Sequence, residues 1–78
     1  MPVVLRVLGF RIWILNPPRE HPPAHVHVEK AGAEVVILLD PIRIREVVGM
    51  KNADIVTAVR IVEDHRHYLV TQWGKHHG

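Results

Sequence analysis

The sequence predicts an α+β domain: a small, mainly antiparallel β-sheet of four to five strands, followed by one long C-terminal α-helix packed on one face. Three observations predict it. The first half alternates in polarity and is rich in β-branched and aromatic residues. Gly and Pro break it into short pieces at Gly9, Gly32 and Pro41. From Ala53 onward the apolar period changes to that of a helix. At 78 residues the chain makes a single domain, 1–78, with a core small enough to gain from a partner subunit.

Val3–Leu8 and Phe10–Leu15 read as the first two strands, punctuated at Gly9. Asn16–Pro23 is a proline-stiffened loop that holds His21 extended beside the next strand. Ala24–Lys30 is the third strand, and Ala31-Gly32-Ala33 a tight connection. Glu34–Asp40 is the fourth strand, stopped by Pro41. Ile42–Val47 alternates as a short edge strand, where Arg43 and Arg45 discourage edge-to-edge pairing. Gly49-Met50-Lys51 turns the chain, Asn52 caps a helix, and Asp54 suits its positive end. Ile55, Val59, Val62, Leu69 and Trp73 form one stripe of that helix, which runs to about Trp73. Lys75 to Gly78 is expected to fray, or to make a weak second metal spot.

Val3, Leu5 and Val7, then Phe10, Ile12 and Ile14, then Ala24, Val26 and Val28 suit a helix-covered face. The other face presents Arg6, Arg11, Trp13, His25, His27 and Glu29. The fourth strand is apolar on both sides, since Val36 and Leu38 join Val35, Ile37 and Leu39. One helix cannot cover both sides, so either a second copy packs on the open face or the loop folds over it, and a homodimer is the preferred expectation.

The histidines carry the chemistry. Three of seven fall between His21 and His27. On a strand, His25, His27 and Glu29 share a side, with neighbouring same-side Cα atoms about 6.6 Å apart. His21, His25 and His27 could bind a divalent metal such as zinc and leave an open position for water. Without metal, His25 or His27 would be general acid or base, with Arg66 stabilising a phosphoryl oxyanion. The plainer alternative is a polar face whose histidines bond to carbonyls and carboxylates. Helical bookkeeping puts Arg66 inside the apolar stripe and His65 on its flank. From there Arg66 either makes a structural ion pair with Asp40 or Glu34, or reaches the loop before the third strand together with His65 to complete a site. Arg6, Arg11, Trp13, His25 and His27 also outline a weak nucleic-acid platform, while Trp13 serves equally as a dimer anchor.

Composition narrows the classes. The absence of cysteine excludes disulfides, thiolate zinc sites and a cysteine nucleophile, and fits a cytoplasmic location. A net charge of +2 permits an acidic partner without requiring nucleic acid. No apolar run is long enough to span a bilayer, and the N-terminus lacks the features of a signal peptide.

Gly9-Phe10-Arg11-Ile12-Trp13-Ile14, Glu20-His21-Pro22-Pro23-Ala24-His25-Val26-His27-Val28, Val62-Glu63-Asp64-His65-Arg66 and Trp73 together resemble the DUF4160 family, small prokaryotic proteins of unknown function. His21, Pro23, His25 and His27 match its loop-and-strand motif. Ala24 stands where a second proline is usual, with Pro22 one step earlier. Glu63, His65 and Arg66 match its helix signature. The resemblance implies short cytosolic proteins encoded beside another small protein, hence a toxin–antitoxin-like or regulatory pair that acts by binding its partner. A small hydrolase or ribonuclease is the enzyme alternative.

Overall fold

The structure, a computed structural model, describes residues 3–15 and 22–77. Five strands run β1 (Val3–Val7), β2 (Phe10–Trp13), β3 (His25–Lys30), β4 (Ala33–Leu39) and β5 (Ile42–Val48). They form one antiparallel sheet in the order β1-β2-β3-β4-β5. Two helices follow, α1 (Asn52–Asp64) and α2 (Arg66–His77).

Two hairpins close through pairs of residues in the left-handed region. Leu8 and Gly9 join β1 to β2 with φ of 52° and 81°. Ala31 and Gly32 join β3 to β4 with φ of 50° and 84°. Two positive φ values in succession match the right-handed twist of the flanking strands. Glycine adopts them freely, whereas Leu8 and Ala31 bring a Cβ against the following carbonyl.

Phe10, Ile12, Ile14, Val26, Val28, Val35, Ile37 and Leu39 share the core face, as their alternation predicts. Ala58, Ile61, Val62 and Leu69 cover it from the helices. A register shift between Val3 and Leu5 alters the expected β1 face. Val4, Leu5 and Val7 pack on the core, while Val3 is exposed.

The single long helix is corrected to two. His65 leaves the helical region at φ −115°, ψ 18°. Its backbone N–H is shared between the Ile61 and Val62 carbonyls at 3.1 and 3.2 Å. Its ring Nδ1–H donates to the Ile61 carbonyl at 2.8 Å, satisfying a helix end from within. Beyond the break, α2 crosses the sheet end where β1 and β3 begin and β2 and β4 finish. Tyr68 Oη donates to the Val4 carbonyl and Arg66 Nε to the Leu39 carbonyl, each at 2.8 Å. The cap also moves: Lys51 holds the N-cap in extended geometry without a side-chain bond, so Asn52 is the first helical residue. Nor does the helix end near Trp73, for α2 runs to His77. His77 Nε2–H donates to the Leu15 carbonyl at 2.9 Å.

Candidate functional site

Antiparallel register builds the second face row by row. Trp13 lies opposite His27, and His27 opposite Val36. His25 lies opposite Leu38, and Arg11 opposite Glu29. Aromatic rings continue the row. Trp13 and His27 stack with centroids 5.8 Å apart and planes at 7°. His27 and His25 meet edge to face at 5.4 Å. His25 meets Trp73 at 5.1 Å, and Trp73 stacks on His77 at 3.7 Å.

Residues 25 and 27 therefore share a side, as predicted, but that side is not fully open. Trp73 comes round the sheet end on α2 and closes over His25, which is 2% exposed. Val36 and Trp13 are buried within one chain. A second copy on this face is thus not required to cover β4.

Both imidazoles are oriented through Nδ1. His25 Nδ1–H donates to the Pro23 carbonyl at 2.8 Å. His27 Nδ1–H donates to Glu34 Oε2 at 2.8 Å. A carbonyl or carboxylate only accepts, so each neutral ring carries its lone pair on Nε2. Glu34 is the functional-type residue that strand alternation alone missed. The two-residue turn sets Glu29 opposite Glu34 and His27 opposite Val36, which makes Glu34 the diagonal same-face neighbour of His27.

Glu29 takes a different role. It accepts from the Gly32 backbone N–H at 2.9 Å and from Arg11 Nε at 2.7 Å. The Gly32 N–H first, and Arg11 second, hold its carboxyl below the ordinary value of 4.5. The guanidinium of Arg11 also lies 5.8 Å from the Trp13 ring centre.

The remaining candidates are dispersed. Arg66 opens α2 at the sheet end and is not buried in the apolar stripe. It is half-exposed, with Nη2 3.0 Å from Asp40 Oδ1 and Nε on the Leu39 carbonyl. The ion pair expected with Asp40 or Glu34 is the one with Asp40. His65 faces a separate groove with Val7, Leu8, Val56 and Ile61. His21 lies outside the described residues. Among the described residues, no group of three or more His, Asp or Glu is placed to hold a metal ion. Trp13, being buried, offers no open ring for a nucleobase. No helix among the described residues is long and apolar enough to cross a membrane.

The family described as Domain of unknown function (DUF4160) matches residues 9–74, most of the chain. No curated protein and no solved structure matches it.

Proposed function

Since the chain belongs to the DUF4160 family, whose description names no activity, we propose its role from its own surface: it is a protein-binding member of a two-gene toxin–antitoxin-like or regulatory pair in the cytoplasm. Its docking site for the small protein encoded beside it is the groove between the β1–β2 turn and α1. That groove has a volume of about 290 Å³ and is lined by Val7, Leu8, Val56, Thr57, Arg60, Ile61, Asp64 and His65.

The observation that carries this reading is Leu8. It combines φ of 52° with a side chain 74% exposed. Neither property stabilises the fold: the backbone is strained for an L-residue and the apolar side chain meets water. Asparagine or glycine would close the same turn better. Strain of this kind marks functional positions when the surrounding structure enforces it. Val56, 60% exposed on α1, faces the same groove. An apolar groove with Arg60, Asp64 and His65 among its lining residues has the chemistry of an interface hot spot.

The test is co-expression with the neighbouring gene product, followed by calorimetry on the purified pair. Val56→Lys should weaken binding at least about tenfold, since an ammonium would be desolvated in an apolar contact. Unchanged affinity in that variant would refute the groove as the docking site.

One observation favours the enzyme reading. Glu34 orients His27 as a carboxylate orients a general base. His27 is then the proton-transfer residue of a hydrolase or ribonuclease. His25 is too deeply covered to meet a substrate, and Arg66 is committed to Asp40 and Leu39. RNA cleavage lost in both His27→Ala and Glu34→Gln would support this reading. Equal cleavage by wild type and His27→Ala would reject it.

A further inference from the structure

We infer that the outer edge of β5 pairs antiparallel with β5 of a second copy, joining two five-stranded sheets across a two-fold axis between Arg45 and Glu46. This surface is separate from the Leu8 groove. Among the described residues β5 ends the sheet, and nothing pairs with its outer side. It is a seven-residue strand in which all but Ile42 are exposed.

The faces of β5 select the register. The ladder with β4 shifts between Val36 and Ile37: Val36 lies opposite Glu46, Ile37 opposite Ile44. Arg45 is therefore the extra residue of a β-bulge. Ile44 and Val47 follow Ile37 and Val35 onto the core face. Arg43 and Glu46 follow Leu38 and Val36 onto the other face. Alternation from Ile44 and Val47 puts Arg45 and Val48 there too.

A two-fold axis between Arg45 and Glu46 sets Ile44 opposite the partner's Val47, both core-side. It sets Arg45 opposite the partner's Glu46, and Arg43 opposite the partner's Val48, all on the other face. Every pair matches in face. The symmetry makes each pair reciprocal, giving two Arg–Glu ion pairs and two Ile–Val contacts. Ile44 and Val47 are each 43% exposed in the single chain and would be shielded by this pairing. A register one step nearer the N-terminus at each strand, with Arg43 opposite the partner's Glu46, fails. It would set core-side Ile44 against Arg45. Two arginines on an edge normally repel a second copy. Glu46, directly after Arg45, turns that repulsion into complementarity at this one register.

Light scattering on a sizing column should give a dimer at high micromolar concentration. Arg45→Glu would face the partner's Glu46 twice and should raise the dissociation constant roughly tenfold or more. The double charge swap Arg45→Glu with Glu46→Arg should restore the dimer. Because the chain has no cysteine, cross-linking reports the register cleanly. Under mild oxidation, Arg43→Cys mixed with Val48→Cys should form a covalent heterodimer, and neither variant alone should. A wild-type monomer overturns the inference, as does a dimer indifferent to Arg45→Glu. Cross-linking of Arg43→Cys with itself would overturn the register. None of these results bears on binding at the Leu8 groove.

Discussion

Replacing Leu8 by asparagine should make the fold more stable and the protein less able to hold its partner. A leucine at φ of 52° carries a steric cost of about 1–2 kcal/mol. Asparagine accepts that region several-fold more readily, and Asn-Gly is the preferred pair for this hairpin turn. Leu8 is 74% exposed, leaving about a quarter of the side chain buried. If full burial of a leucine is worth about 2 kcal/mol, the substitution forfeits about 0.5 kcal/mol. The net gain is about 1 kcal/mol, or roughly 4–8 °C in Tm for a domain of this size. Urea and thermal denaturation measure it. Ala31→Asn is the control, for Ala31 has φ of 50°, is exposed, and precedes Gly32 just as Leu8 precedes Gly9. It lies outside the proposed groove. Both variants should gain stability; only Leu8→Asn should lose affinity for the proposed partner protein. If Ala31→Asn is stabilising and Leu8→Asn is not, the strain argument at Leu8 is wrong.

Other substitutions separate the roles of the second face. His25→Ala should cost about 2–4 kcal/mol, because it opens a cavity beside Trp73 and leaves the Pro23 carbonyl without its donor. His27→Ala, on a partly exposed ring, should cost about 1–2 kcal/mol in the same urea assay; a larger loss than at His25 would reverse their assigned depths. Trp73→Ala should cost about 2–4 kcal/mol and perturb the His25 ring resonances, since α2 reaches this face through Trp73. Glu29 gives a pH dependence with a fixed sign. Its folded-state pKa is depressed, so its contribution is complete above the unfolded value. It fades as pH falls below about 4.5 through the lower folded value. Glu29→Gln should therefore flatten stability against pH on the acid side alone.

Much of the fold was legible because one residue pattern served each element. Alternation fixed the core faces of β2, β3 and β4, and the tight Ala31-Gly32 connection set β3 beside β4. Register from that turn also carried the Glu34–His27 pair, which counting along one strand could not reveal. The break at His65 had no such signal. No Gly or Pro marks it, and a side-chain bond to Ile61 completes a helix end that the sequence does not announce. Leu69 and Trp73 beyond it still pack on the core as the stripe predicts, whereas Arg66, next to the break, is exposed rather than buried in that stripe. Leu8 read as the last residue of a strand because leucine is a poor turn former. Its left-handed backbone is set by the strands on either side, not by its own preference.

The most direct measurement is residue-by-residue chemical-shift mapping of isotopically labelled protein titrated with the proposed partner, the product of an adjacent gene. Docking in the groove predicts saturable shifts in the amides of Leu8, Val56, Thr57 and Arg60, with the Arg11 and His27 region largely unmoved. Saturable shifts centred on Arg11, His27 and Glu34, with Leu8 and Val56 silent, would contradict it.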